Sequence, residues 1–291
     1  MRIDLHTHST VSDGTATPTQ VVDAAAGAGM DVIALTDHDS STGWTEAATA
    51  LPPGLTLVPG AELSCACYID GQRLGMHMLA YLFDPNHAGL SAAMAEVRDG
   101  LAARAQAMVD LLRAGGEDIT WEEVRELAAG DTVGRPHIAQ ALVNRGRIDS
   151  TAEAFQPAWL GERYYLPKPA SMKVFDALRL VREAGGVAVL AHPRRKGRIV
   201  PREILARLAE EGLFGVEADH PEHDDAARKD VRALAAELNL VVTGSSDFHG
   251  TRKPSLIGDN TTDPQVYEQI VEAATGAAPI TTTTSTGTVR R

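Results

Sequence analysis

Thiols and aromatic rings are both scarce in this chain. It carries two cysteines in 291 residues, Cys65 and Cys67. Spaced at i and i+2, they form neither a disulfide framework nor a C-x-x-C redox or zinc pair. Free thiols packed in a reducing cytoplasm are the expectation. Aromatic residues make up 4% of the chain, so Ala, Val and Leu must fill the core. Positive charge is short as well: 27 Lys and Arg stand against 39 Asp and Glu, a net −12. That deficit argues against a grip on long DNA, which relies on neutralising many phosphates. It leaves room for a small anion held by a local cluster. No apolar run reaches eighteen residues, so no membrane span is expected. The N-terminal apolar segment is polar by Asp4, so no secretory leader is expected. The end of the chain, "TTTTSTGTVRR" (281–291), lacks a core-forming pattern. A disordered tail is expected over 276–291.

What is present is an alternation of short apolar strands and helices. "RIDLH" (2–6), "DVIALTDH" (31–38), "LTLVPGAELSC" (55–65), "RLGMHMLAYLF" (73–83), "VAVLAH" (187–192), "LFGVEADH" (213–220) and "LVVTGSSDFHG" (240–250) read as strands. Most are separated by helical stretches, and the Asp70-Gly71 pair marks a hairpin. Such alternation implies a parallel sheet covered by helices. Seven strands suit a closed or nearly closed barrel; an open doubly wound sheet is the alternative, but the Gly-rich turn after its first strand is missing. Residues 88–170 break the rhythm, being Ala-rich and helical. They read as a helical insertion between barrel segments 1–87 and 171–275.

The polar residues collect at strand ends. The first strand closes on His6 and His8, the second on Asp37, His38 and Asp39, the third on Glu62. His77 follows the hairpin. Later strands end in His192, in Glu217 with His220, and in Asp247 with His249. In a parallel barrel these ends share one face, where active sites are built. His6 and His8 point to the same side of an extended strand, so one cation can use both. Imidazole with carboxylate is a ligand set for Zn, Mn or Fe, and such clusters activate water and neutralise phosphoryl charge. His87, after "DPN", reads as a solvated loop residue, and His223 as a helix-start residue.

The stretches "DLHTHSTVSDG", "ALTDHD", "PGAELS", "HMLAY", "AHP" and "SSDFHG" resemble the PHP (polymerase and histidinol phosphatase) superfamily of metal-dependent phosphoesterases. The resemblance implies an α/β fold, a distorted (β/α)7 TIM-like barrel, with three divalent metal ions. It implies His6, His8, Glu62 and Asp247 around the first ion, and Glu62, His77 and His192 around the second. Asp13, His38 and His249 would hold the third. The insertion and its "GRPHIAQAL" (134–142) resemble the branch acting on AMP, nucleoside 3′,5′-bisphosphates or short RNA. There Arg135 and His137 would reach the substrate phosphate, although Pro136 also suits an ordinary helix start. "HPRRKGR" (192–198) follows a ligand strand and brings Arg194, Arg195 and Lys196 to the same face as candidate anion contacts.

The reading is therefore hydrolysis of a small nucleotide's phosphate ester by metal-activated water, with His220 or His137 protonating the leaving oxygen. Within the same class, a 5′–3′ exoribonuclease on short RNA and a histidinol-phosphate phosphatase stay open. An amidohydrolase-type deaminase or amidase is the rival from another class. It commonly bridges metals with a modified strand lysine, and no lysine here falls inside a predicted strand.

Overall fold

A computed structural model describes residues 1–128, 130, 132–168, 171–195 and 198–282. In chain order its first half holds β1 (Ile3–Asp4), α1 (Pro18–Gly27), β2 (Val32–Leu35), α2 (Trp44–Thr49), β3 (Thr56–Ile69) and β4 (Gln72–Tyr81). The helices α3 (Ala88–Ala114), α4 (Trp121–Ala128) and α5 (Arg135–Asn144) follow. Then come β5 (Met172–Lys173), α6 (Val174–Glu183), β6 (Val187–Ala191), β7 (Arg194–Arg195), β8 (Arg198–Ile199) and α7 (Arg202–Glu210). The chain continues through β9 (Gly215–Asp219), α8 (Asp225–Glu237), β10 (Val241–Gly244), α9 (Pro264–Ala273) and β11 (Ile280–Thr281). Among the described residues no helix is long and apolar enough to cross a membrane.

Local chemistry sets these boundaries. Thr17 accepts from the Gln20 N–H while the Gln20 side chain accepts from the Thr17 N–H. This reciprocal cap starts α1, with Pro18 in its first turn. The strands are buried on both faces. Ile33 and Leu35 pack outward against helix residues such as Val21, Val22 and Ala25. Val32 and Ala34 join Ile3, Leu5, Val58, Leu79, Tyr81 and Val189 in a separate interior cluster. Period-two alternation thus builds two apolar layers from one strand.

Seven strands follow the order β1-β2-β3-β4-β6-β9-β10. The remaining gap is narrowed by a bridge between Thr7 and Phe248, with the His8 N–H donating to the Phe248 carbonyl at 2.9 Å. Asp4 is the seam's fastener. Its carboxylate accepts from the Ser246 N–H at 3.0 Å and the Gly258 N–H at 2.9 Å. Burial raises its pKa to about 6, against those hydrogen bonds. The result is a distorted, near-closed α/β barrel.

Two sequence expectations need correction. The sheet is mixed, because β4 runs antiparallel to both β3 and β6. A two-residue hairpin turn forces that reversal. His77 therefore reaches the mouth from the middle of its strand: it lies opposite Ser64 on one side and Ala191 on the other. The tail expected to be disordered from 276 is instead held to the barrel through Thr281. The Ala277 N–H donates to the Leu82 carbonyl, and Ile280 pairs with Leu57 at the start of β3. Edge pairing uses backbone groups, so low side-chain complexity does not prevent it. The remainder of that segment, 283–291, lies outside the described residues.

The expected helical stretch holds α3, α4 and α5, and no strand among the described residues of 88–168. α3 serves two cores. Its first half, Leu90, Met94 and Val97, joins the barrel's outer layer. Its second half, Met108, Val109 and Leu112, packs with Val124, Ile138 and Leu142 in a core of the insertion's own. His87 is a helix cap rather than a solvated loop residue, its Nδ1 accepting from the Leu90 N–H at 3.2 Å.

Candidate metal centre

The residues after β1 form a tight loop under the first two histidines. Asp37, at the end of β2, gathers it by accepting from the Ser9 N–H (2.8 Å), the Ser9 hydroxyl (2.7 Å) and the Ser12 hydroxyl (2.6 Å). Gly14 closes the turn, and a Cβ there would stand 2.6 Å from the His8 carbonyl oxygen. Asp39, His192 and Asp247 all take positive φ, at 50°, 30° and 48°. Strained non-glycine backbone of this kind is characteristic of functional sites.

Glu62 stands at the centre. Its Oε1 lies 2.7 Å from His77 Nδ1 and 2.9 Å from His192 Nε2. Its Oε2 lies 3.2 Å from the Nε2 atoms of both His6 and His8, and 3.3 Å from His38 Nδ1. One carboxylate thus turns each oxygen to a different set of imidazoles. Asp247 Oδ1 completes the first set, 3.4 Å from His6 Nε2 and 3.3 Å from His8 Nε2, which are 3.0 Å apart. Ligands bonded at about 2.0–2.1 Å to a tetrahedral ion stand roughly 3.4 Å from one another. The first set therefore already has the spacing of a coordination shell. A further group gathers His8, Asp13, His38 and His249, with their ligand atoms within 4.8 Å of one another. Asp13 Oδ1 and His38 Nδ1 are buried without a hydrogen-bond partner, as atoms meant for a cation would be. The donor set fits divalent metal ions.

Supporting residues fix which atoms face inward. Glu217 Oε1 lies 3.1 Å from His6 Nδ1, leaving Nε2 for a metal. Its other oxygen accepts from the His192 N–H at 2.9 Å. His249 Nδ1 is tied to the Asp247 carbonyl at 2.8 Å, so its Nε2 faces Asp13 at 3.2 Å. Burial holds His38 and His77 below the ordinary imidazole range, keeping their lone pairs free. Burial works against charge on His8 too, but Asp247 and Glu62 outweigh it and raise its pKa to about 9. The histidine clusters hold Glu62, Asp13 and Asp247 ionised against their burial.

Above these groups lies a cleft of about 410 Å³. Asp13, His38, His77 and His249 reach it from the barrel; Arg104, Arg135, His137 and Phe155 reach it from the insertion. The insertion is stitched down by the Thr132 hydroxyl, which donates to the His38 carbonyl at 2.9 Å. The Thr132 N–H donates to the Val11 carbonyl at 3.3 Å.

The other expected contacts are placed unevenly. Arg195 lines the cleft and pairs with Glu222. Arg194 does not line it: its guanidinium is taken up by Asp230 at 2.6 Å and the Val200 carbonyl at 2.6 Å. Lys196 lies outside the described residues. His137 Nδ1 accepts from the Gly134 N–H at 3.1 Å. Burial, with Arg252 nearby, lowers its pKa to about 4, against Asp13 and the Ser12 backbone. His220 is buried behind the centre. Its Nε2 lies 3.1 Å from Asp247 Oδ2 and its Nδ1 accepts from the Glu222 N–H. His223 is also structural, binding the Ala218 carbonyl and accepting from the Arg194 N–H. Both cysteines are free and buried.

Sequence reasoning passed over three residues, Arg104, Arg252 and Lys253, that line the cleft; it named Glu217 at a strand end without the role of orienting His6. Glu217 carried a signal, the acidic end of "LFGVEADH"; "GTRKP" after the last ligand strand carried another. Arg104, inside a long amphipathic helix, carried none.

Comparison with known proteins identifies the family. The PHP domain model matches residues 4–111. A phosphoribosyl 1,2-cyclic phosphate 1,2-diphosphodiesterase from Eggerthella lenta is 32% identical, over 85% of this chain and 94% of its own. A 5′-3′ exoribonuclease from Haemophilus influenzae is 31% identical, over 85% and 90%. A 3′,5′-nucleoside bisphosphate phosphatase from Chromobacterium violaceum is also 31% identical, over 85% and 87%. A solved chain from Bifidobacterium adolescentis, assigned by prediction as a metal-dependent phosphoesterase, superposes with TM-score 0.85 at 35% identity, covering 94% of this chain and 96% of that one. The chain belongs to the PHP-domain superfamily of metal-dependent phosphoesterases. It is a metal-dependent hydrolase acting on phosphate esters.

Proposed function

We propose that the chain hydrolyses the phosphate ester of a single small nucleotide, AMP or a nucleoside 3′,5′-bisphosphate, with three divalent ions of Mn, Fe or Zn. The observation that carries this is the divided Glu62 carboxylate, one oxygen toward His77 and His192 and the other toward His6, His8 and His38. His6, His8, Glu62 and Asp247 hold the first ion, Glu62, His77 and His192 the second, and Asp13, His38 and His249 the third. When bound, such ions activate water and neutralise charge on the phosphoryl oxygens.

The chain's own groups do the rest. Arg195 and Arg252 stand at the cleft beside Lys253 and bind phosphoryl oxygens, while Arg135 holds the substrate from the insertion wall. His137, kept neutral by burial, donates a hydrogen bond and orients the leaving oxygen, because a neutral imidazole does not readily surrender its proton. His220 positions Asp247. A cleft of about 410 Å³ falls within the usual small-molecule range of roughly 300–1,000 Å³, which favours one nucleotide over a longer strand.

The test is phosphate and nucleotide release from AMP, adenosine 3′,5′-bisphosphate, a 5′-phosphorylated RNA trimer and histidinol phosphate. Each is assayed with Mn²⁺, Fe²⁺ or Zn²⁺, beside elemental analysis of the protein. Turnover of AMP or the bisphosphate ahead of the others supports the reading. Preference for the trimer moves it to exoribonuclease, and no release from any ester overturns it.

A further inference from the structure

We infer that Arg104 and Arg135 form a second anion subsite on the insertion wall, which takes a substrate phosphate other than the one at the metal centre. The inference rests on the phosphoester reading above and adds where a second charge is recognised.

The two side chains arrive from different helices. Arg104 lies in α3, and Arg135 opens α5. Tyr165 lies against both guanidiniums: Arg104 Cζ is 5.2 Å from its ring centroid and Arg135 Cζ is 5.7 Å. Phe155 supports Arg135 from another side at 5.2 Å. The Arg104 Nε donates to the Leu166 carbonyl at 2.8 Å, which fixes its reach. Both arginines are half-buried and both line the cleft.

Among the described residues neither of the two meets a carboxylate. Arg145, Arg147, Arg179, Arg194, Arg195, Arg202 and Arg232 do so within 4 Å; others, such as Arg182 and Arg207, do not, but they bind a backbone carbonyl or a ring outside the cleft. Among the described residues Arg104 and Arg135 form no such ion pair; Tyr165, Phe155 and the Leu166 carbonyl are what they touch. Two cations of like sign, partly removed from water and lacking a carboxylate, disfavour one another. Consistent with this, burial and then the neighbouring Arg135 charge lower the Arg104 pKa. Aromatic faces recover part of that cost, and an anion across both guanidinium forks recovers more. The cleft extends from these forks to His38, His77 and Asp13, so one ligand can span both places.

The experiment compares adenosine 3′,5′-bisphosphate with AMP in the wild type, Arg104→Met and Arg104→Lys. Met keeps an apolar stem against Tyr165, and thermal denaturation confirms folding. Two ratios are read for the pair of ligands: kcat/KM with Mn²⁺, and Kd by calorimetry on metal-free protein. Arg104→Met is expected to lower the bisphosphate preference about 30-fold in both, in line with loss of a charged hydrogen-bonding group. Arg104→Lys is expected to recover part of it. Ratios unchanged within about threefold, or both ligands weakened equally, overturn the subsite. If neither ester is hydrolysed the catalytic reading fails, and the Kd ratio still decides the subsite alone.

Discussion

The floor and the wall of the cleft are opposite kinds of polar surface. On the barrel floor carboxylates and imidazoles stand against one another: Glu62 meets five imidazoles, and Glu217 and His220 brace His6 and Asp247. On the insertion wall Arg104 and Arg135 rest on Tyr165 and Phe155. The floor is complete once cations arrive; the wall is completed only by a ligand. On the proposed reading, chemistry belongs to the barrel and selection among phosphate esters to the insertion. That division also suits a superfamily whose similarly distant relatives carry three different substrate names.

The largest effect should come from breaking the floor. Glu62→Gln preserves shape but puts an amide where both oxygens face imidazoles. Phosphate release should fall on the order of 10³-fold, and elemental analysis should show metal lost with it. Turnover within about tenfold of wild type would mean that the floor is not where the chemistry occurs.

Next in size is a pH dependence that should belong to the floor alone. His8, with its pKa raised to about 9, must shed its proton to ligate. Protons therefore compete with metal below that value. Against its burial, His6 is raised as well by Glu62, Glu217 and Asp247 and adds to that competition, so Mn²⁺ affinity should rise at least about tenfold per pH unit from 7 toward 9. Guanidiniums do not titrate in this range, so binding of adenosine 3′,5′-bisphosphate to the metal-free wall should stay level. Calorimetry across that window measures both, and parallel slopes would erase the distinction between the two surfaces.

A smaller effect should follow from loosening the join. Gly130 sits so close to the site loop that a Cβ would lie 2.5 Å from the Val11 carbonyl oxygen and Cα. The atoms it would meet are backbone of Thr10 and Val11, so Gly130→Ala must push apart the contact beside the Thr132 bond to Val11. We expect about 1–3 kcal/mol of stability lost and roughly tenfold lower kcat/KM, with metal content intact. Metal loss in this variant would show that the insertion helps to build the floor.

The floor was legible in the sequence because metal ligands are conspicuous by type and stand beside strand ends. His6, His8 and Glu62 could be named once the alternation was seen. His77 was harder to place, since its strand is reversed by the Asp70-Gly71 hairpin and its position at the mouth depends on register with Ser64 and Ala191. The wall was largely illegible. Arg104 looks like any exposed helical arginine, and its significance comes from Tyr165, sixty-one positions away. Arg194 erred in the other direction. Its basic loop promised an anion contact, yet Asp230 on α8 claims the side chain. Composition fixed neither outcome, because both depend on which long-range neighbour carries a carboxylate.

The smallest effect should come from a helix cap that does not line the cleft. Asp263 caps α9, its carboxylate accepting from the Gln265 N–H at 2.8 Å. The adjacent Thr262 N–H donates to the carbonyl of Ile3, where β1 begins, and α9 buries Ile270 among the barrel's interior residues. Asp263→Ala removes a cap but leaves Pro264 to start the helix. About 1 kcal/mol of stability should be lost, read by chemical denaturation, while turnover and metal content stay at wild-type values. Ligands at the mouth are braced by Glu217, Asp37 and the Asp4 seam, none of which touches Asp263 through a hydrogen bond given above. A fall in metal content would therefore mean that strain passes from this cap through Thr262 and Gly244 into the ligand shell.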